Sequence, residues 1–361
     1  MKPQYIPLTP LPGADGHGPL IIAGPCSAES RTQIDQTARA LNNFGVKVLR
    51  AGVWKPRTHP GGFEGIGAEA LDWLAEAKRN YGMAIATEVA MARHVEDAYR
   101  AGVDIMWIGA RTSVNPFAVQ EIADALEALP VKPAVLVKNP VNPDLELWIG
   151  AIQRISKAGV TALGAIHRGF TAYGNNSYRN PPHWSIPFEL RRRLPGLPVI
   201  CDPSHITGCA SMVAPTASQA IGMGLDGLIV EVHPQPEKAL SDSAQQLTPA
   251  QFADLLANVP VMGGHADSDA TKLDDLRVQI DHIDDEIIDL IARRMAVAAK
   301  IGRLKHMAGM PVLQSQRYNS LMNDRIESAV ALGLDADVMR RIFAALHEES
   351  VRLQLLSTDG E

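Results

Sequence analysis

Cations recur where short apolar runs end. Arg50, Lys55 and Arg57 follow the run 46–49, Arg111 follows 105–108, Lys138 follows 135–137 and Arg168 follows 162–166. Arginine forks match carboxylate and phosphate oxygens, and lysine adds a point charge. So many cations on one rim repel each other unless anions sit among them, and the set suits two phosphorylated substrates better than one. A second group is Cys26, His205, Glu231 and Asp242. A thiolate, an imidazole and two carboxylates form the mixed donor set of one first-row divalent metal such as Mn, Fe, Co or Zn. Cys201 and Cys209 are read as structural, and Asp202 and His233 as candidates to orient the metal ligands.

The elements that must position these groups can be counted. Apolar runs at 20–23, 46–49, 84–87, 105–108, 135–137, 162–166, 199–201 and 228–232 alternate with amphipathic stretches at 32–42, 68–80, 94–100, 119–129, 146–157, 187–193, 214–223 and 249–258. This is α/β grammar. Eight repeats over about 250 residues predict a (β/α)8 TIM barrel, although a doubly wound sheet shares the local pattern. In such a barrel the chemistry belongs at the C-terminal strand ends, where the cations and the metal-type residues fall. Strands one, seven and eight are neighbours around a closed barrel, so Cys26, His205, Glu231 and Asp242 can reach one ion. Residues 1–19, rich in proline and glycine, read as an arm.

At 361 residues the chain exceeds one compact core, so a second domain is expected. A net charge of −6 without Lys/Arg runs argues against nucleic-acid binding. No apolar run has membrane-spanning length and no leader pattern opens the chain, so a cytoplasmic protein is expected. Residues 1–262 make the barrel with its arm, 263–271 a small and polar linker, and 272–361 an all-α domain. From Leu273, apolar residues recur at threes and fours in one long helix, followed by helices near 315–332 and 336–356. The first would be on the order of 50 Å long. Leu276, Ile280, Ile283, Ile287 and Leu290 form its inward stripe, and three such helices are expected to close their core by intertwined dimerisation. Arg277, Arg294, Lys305, Arg317, Ser350 and Gln354 stand at or near inward positions.

Gly-Pro-Cys-Ser-Ala-Glu (24–29), Lys-Pro-Arg-Thr (55–58), Ile-Gly-Ala-Arg (108–111), His-Arg-Gly (167–169), Asp-Pro-Ser-His (202–205) and Glu-Val-His-Pro…Ala-Leu-Ser-Asp (231–242) together resemble type I-beta 3-deoxy-D-arabino-heptulosonate 7-phosphate (DAHP) synthases over about residues 18–260. The resemblance implies that Arg50, Lys55, Arg111, Lys138 and Arg168 hold phosphoenolpyruvate, with Lys55 also near the reacting carbons. Lys55, Pro56, Arg57 and Thr58 hold erythrose 4-phosphate. Cys26, His205, Glu231 and Asp242 hold one divalent metal ion. The related 3-deoxy-D-manno-octulosonate 8-phosphate synthases carry a Lys-Ala-Asn type of loop where this chain has Lys-Pro-Arg-Thr, which favours erythrose 4-phosphate. One departure is that Lys138 continues as Asn-Pro instead of the Arg-Gly of some members.

Leu-Arg-x-x-Ile-Asp-x-Ile-Asp (276–284), Arg-Arg (293–294), Ile-Gly-Arg-Leu-Lys (301–305), Gln-x-Gln-Arg (314–317) and Glu-Glu-Ser-Val-Arg-Leu-Gln (348–354) resemble AroQ-type chorismate mutases. This implies that Arg294, Arg317 and Arg277 clamp the substrate carboxylates, Arg277 coming from the partner subunit. Lys305 and Gln354 hydrogen-bond the ether oxygen as its bond breaks, and Ser350 lines the pocket. Tyr318 and Gln314 depart from the acidic residues often found there. The joint expectation is a homodimeric bifunctional enzyme of aromatic amino acid biosynthesis, with prephenate as a feedback ligand. The alternative is a DAHP synthase whose helical domain only dimerises and senses prephenate.

Overall fold

The computed structural model describes residues 8–14, 16, 18–55, 61–172, 174, 177–259 and 267–356, and in 267–275 and 315–316 the backbone alone. The chain divides into two compact units, Met1–Gly263 and Gly264–Glu361.

In the first unit β1 (Leu20–Gly24), β2 (Val48–Arg50), β3 (Ala84–Val89), β4 (Ile105–Ile108), β5 (Ala134–Lys138), β6 (Leu163–His167), β7 (Val199–Cys201) and β8 (Gly227–Glu231) pair in sequence order and close, β1 against β8, into a parallel barrel. Around them run α1 (Arg31–Asn43), α2 (Glu69–Tyr81), α3 (Ala92–Arg100), α4 (Pro116–Ala128), α5 (Leu145–Lys157), α6 (Ser185–Arg193), the short α7 (Pro203–Thr207), α8 (Ala210–Gly222) and α9 (Pro249–Asn258). The strands are apolar along most of their length because both faces are covered, and polar residues such as Arg50, Glu88, Lys138 and Glu231 stand at or near their C-terminal ends. One face of each meets the helices, and the other fills the barrel with residues such as Ile22, Val48, Trp107, Leu136, Ile166 and Ile229. Leu11 of the N-terminal arm joins that inner cluster beside Leu20, Ile105 and Ala134, at strand starts, and so plugs the end opposite the loaded rim.

Helix starts follow their caps. Ser30 accepts from the Gln33 amide, Asp144 accepts from Leu147, and Thr248 forms a capping box with Gln251 ahead of Pro249. Asn115 caps α4 with Pro116 in its first turn, which moves the start ahead of the apolar stretch at 119. Similarly, α8 begins at Ala210, before the expected 214, and carries Pro215 in its first turns.

The second unit is α10 (Asp267–Met307), α11 (Ser315–Ala331) and α12 (Ala336–Leu356). Helix α10 has 41 residues, about 60 Å of rise. It starts inside the segment read as linker. The stripe expected to face inward stands open in the single chain: Leu276, Ile280, Ile283, Ile287 and Leu290 are 47–58% exposed. Two shorter helices cannot cover so long a partner, so its N-terminal half keeps its apolar face. Among the described residues, no helix is long and apolar enough to cross a membrane.

Candidate active sites

The barrel site is assembled where β1, β2, β7 and β8 end. Gly24 pairs with Glu231, and its backbone takes φ +149. A Cβ there would lie 2.1 Å from the Arg50 carbonyl oxygen. Glycine alone therefore lets β1 pass β2 closely enough for the chain beyond it to stay paired, with the Gly52 amide donating to the Cys26 carbonyl at 3.2 Å. The Cys26 sulfur lies 3.5 Å from Asp242 Oδ2 and accepts from Lys55 Nζ at 3.1 Å. Donor atoms of Cys26, Glu231 and Asp242 lie within 4.8 Å of one another. His205 stands beside them, its Nε2 3.8 Å from Glu231 Oε1. Its Nδ1 is 2.8 Å from Asp202 Oδ2, and a proton there leaves the Nε2 lone pair facing the cluster.

The electrostatics fit a cation at this point. Burial raises the pKa of Glu231, but His205, Arg50 and Lys55 outweigh it and hold the carboxyl below its ordinary value. Asp242 is held low against burial by His205 and Arg179. The Cys26 thiol is pushed up to about 12, by burial first and Glu231 second. A buried thiol between two ionised carboxylates becomes a thiolate ligand only with a cation present. Glu231 Oε1 is also buried, with Arg50 beside it at 3.2 Å but no hydrogen bond among the described residues. This donor set fits a divalent metal of the thiolate-tolerant kind.

The cations converge next to it. Arg50 is 1% exposed, places one terminal nitrogen 3.2 Å from Glu231, and lies 4.9 Å from the centre of the Trp107 ring. Its Nε and other terminal nitrogen are buried without an acceptor among the described residues. Lys138 pairs with Asp202 at 2.8 Å and also approaches Trp107. Arg168 donates to Asn180 at 2.8 Å, and its amide donates to Asn139. The Asn-Pro departure after Lys138 thus ties β5 to the loop that carries Arg168. Burial, together with positive neighbours including Arg111, lowers Arg168 to about 10. Arg111 itself is exposed at the rim. Pro56, Arg57 and Thr58 lie outside the described residues. The stretch leading to them is pinned by Trp54, which stacks on His94 at 3.9 Å.

Several residues in this network escaped sequence reading. Trp107 is the platform under Arg50 and Lys138, and Glu88 accepts from its indole. Arg179 reaches both Asp242 and Gln245, and Gln245 donates to Glu231 at 2.8 Å. Polar loop residues with no period carry no local signal. Only the three-residue spacing of Asp242 and Gln245 hinted at a shared turn. Asp202, an expected orienting group, holds both His205 and Lys138, whereas His233 faces Glu29 at 3.5 Å.

Asp202 also sets an acid limit on stability. Burial raises its pKa, but His205 and Lys138 outweigh this and hold it well below 3.8. A depressed folded pKa gives stability that is present above the unfolded value and is lost as pH falls toward the folded one. The melting temperature should therefore drop steadily below about pH 4. Asp202→Asn should flatten that drop and cost about 3 kcal/mol or more at neutral pH, by stranding the Lys138 ammonium. Calorimetry across pH checks both, and an acid limb identical to wild type would contradict the assignment.

The helical unit encloses a separate cavity of about 580 Å³. Arg294 and Lys305 face it from α10, Arg317 and Tyr318 from α11, and His347, Ser350 and Gln354 from α12. Arg294 donates to Ser350 Oγ at 2.6 Å and to the Leu346 carbonyl at 2.8 Å, and Lys305 donates to the Val312 carbonyl at 2.7 Å. Arg277 is exposed and sits 17 residues before Arg294 on the same helix, about 25 Å away along the axis. The fold does not bring it to this cavity within one chain. His347 was missed, although it lies one helical turn before Ser350 and so shares its face.

Comparison with known proteins agrees with both arrangements. Residues 10–262 match the DAHP synthetase I family and residues 276–355 match chorismate mutase type II. A phospho-2-dehydro-3-deoxyheptonate aldolase of Thermotoga maritima is 38% identical over 236 residues, which cover 65% of this chain and 67% of that protein. The solved structure of a truncated 3-deoxy-D-arabino-heptulosonate 7-phosphate synthase from Thermotoga maritima superposes with a TM-score of 0.60 at 32% identity, covering 70% of this chain and 90% of that one. A 2-dehydro-3-deoxyphosphooctonate aldolase of Bradyrhizobium is 28% identical, over 65% of this chain and 85% of its own length. With its Cys26 cluster in a closed eight-stranded barrel and its cationic helical cavity, the chain belongs to the DAHP synthetase I family and carries, C-terminal to the barrel in sequence, a chorismate mutase type II domain.

Proposed function

We propose that the barrel condenses phosphoenolpyruvate with erythrose 4-phosphate to DAHP and phosphate, and that the helical cavity rearranges chorismate to prephenate. The observation that carries the first reaction is the junction of two unmet demands. Buried Arg50 N–H groups without acceptors among the described residues lie beside a Cys26–Glu231–Asp242 cluster whose thiol needs a cation.

In this reading Arg50, Arg111, Lys138 and Arg168 hold the carboxylate and phosphate of phosphoenolpyruvate, while Pro56, Arg57 and Thr58 hold the aldose phosphate. A first-row divalent metal on Cys26, His205, Glu231 and Asp242 would polarise the aldehyde carbonyl. The enol-ether C3 forms the new C–C bond and the aldehyde oxygen takes up a proton. Water adds its oxygen to C2, and the resulting phosphohemiketal releases phosphate as its C–O bond breaks. Lys55 suits the proton transfer. Burial works against its charge, yet the Cys26 sulfur once ionised, together with Glu231, outweighs burial and keeps it an ammonium. Fixed cations stabilise the charge that shifts during addition without having to reorganise.

In the helical cavity no nucleophile or base is required. Arg294 and Arg317 would hold the carboxylates in the folded conformer. Lys305 and Gln354 would stabilise the ether oxygen as negative charge grows on it. The open stripe of α10 is what a second copy of the chain would cover, and the partner's α10 would then supply Arg277 to the cavity. A cytoplasmic location, supported by three free cysteines, and feedback by prephenate belong to the same proposal. Removing residues 263–361 should abolish inhibition of the barrel by prephenate.

The deciding experiment supplies the full-length chain and manganese with phosphoenolpyruvate and either erythrose 4-phosphate or arabinose 5-phosphate. Turnover with the four-carbon sugar is expected. Preference for the five-carbon sugar would favour the octulosonate chemistry named for the Bradyrhizobium relative. Chorismate consumption by the same sample separates an active helical domain from a silent one.

A further inference from the structure

The cavity between α10, α11 and α12 is richer in donors than in acceptors, the acceptors on its lining besides Ser350 being the Gln314 and Gln354 amide oxygens, the Tyr318 hydroxyl and His347. Arg294, Lys305 and Arg317 can accept nothing. The Ser350 hydroxyl is already committed, accepting from Arg294 at 2.6 Å and donating to the Leu346 carbonyl at 2.6 Å. Chorismate carries, besides two carboxylates and the ether, one ring hydroxyl whose proton needs an acceptor. His347 lines the same cavity, and its Nε2 is buried with no hydrogen-bond partner among the described residues. Its ring lies 4.5 Å from that of Tyr318, inclined at 45°, so packing fixes where the nitrogen points. His347, Ser350 and Gln354 share one face of α12 at helical spacing.

We propose that His347 is a substrate-contacting residue of the mutase site and accepts the hydrogen bond of the substrate's ring hydroxyl through Nε2. The tautomer protonated at Nδ1 offers that lone pair. Burial, then the charges of Arg294 and Lys305, lower the imidazole pKa, which keeps the ring neutral and able to accept. The packed Tyr318 ring would hold this geometry where the resemblance led us to expect an acidic residue. The inference rests on the chorismate reading of the cavity.

Full-length wild type, His347→Leu and His347→Gln are assayed with chorismate and with the analogue whose ring hydroxyl is replaced by hydrogen. His347→Leu should lower kcat/KM for chorismate about tenfold, the scale of one lost hydrogen bond at a buried site. It should leave the deoxy analogue within about twofold of wild type, since no bond to that position exists to be lost. His347→Gln, which keeps an acceptor, should recover part of the loss. Equal losses on both substrates would overturn the proposal in favour of a packing role through Tyr318, and so would unchanged turnover of chorismate. If His347→Leu does not fold, His347→Gln decides alone, by whether its loss on chorismate exceeds its loss on the analogue. A wild type that rearranges neither compound would refute the chorismate reading itself, and this inference with it.

Discussion

Cys26→Ala is expected to lower DAHP formation by the full-length chain about a thousandfold, the several kcal/mol that a Lewis acid contributes at a polarised carbonyl. Chorismate rearrangement by the same sample should stay at the wild-type rate. Cys26 is fully buried, and its sulfur touches both Asp242 and Lys55. Losing the sulfur removes the proposed ligand and leaves the Lys55 ammonium beside a small void. Serine is a sharper test than alanine, because it preserves size but offers a harder, weaker donor to a thiolate-tolerant metal. Elemental analysis after dialysis against a weak chelator should show metal loss in step with activity. Full turnover by a metal-depleted Cys26→Ala protein would remove the basis of the proposed barrel chemistry.

Lys305→Ala should reduce the chorismate rearrangement about 10²–10³-fold, the range found when one preorganised donor to developing negative charge is removed. The barrel reaction should be unaffected. Lys305 is held toward the cavity by its bond to the Val312 carbonyl, and so does not have to be ordered when substrate arrives. Charge on the ether oxygen appears only as the bond breaks. The loss should therefore fall mainly on kcat, with a smaller change in KM. The disappearance of chorismate absorbance, followed over a range of concentrations, separates the two. A pure KM effect would mean that Lys305 binds a carboxylate instead.

The two predictions are mirror images because each site draws on its own unit. Every described residue of the barrel cluster comes from Met1–Gly263 and every described cavity residue from Gly264–Glu361. Single substitutions should consequently separate the activities cleanly in steady state.

How the two levels of description divide follows from the range of the forces involved. The alternation of eight apolar runs with eight amphipathic stretches was legible in the sequence, because burial on both strand faces and helix capping are written within a few neighbouring residues. The long α10 was legible for the same reason, as was the placement of cations at strand ends. What tertiary structure alone decided is the contacts through which those groups meet. Cys26 and Asp242 are 216 residues apart in the chain, yet their side chains touch. Arg50 is no surface cation, since Glu231 and Trp107 confine it inside the rim. Arg179 and Gln245 have no periodic signature, because a side chain that satisfies one distant partner leaves no mark on its neighbours in sequence. The exposed stripe of α10 teaches the reverse: its period announced an inward face, but a single chain holds too little helix to bury it.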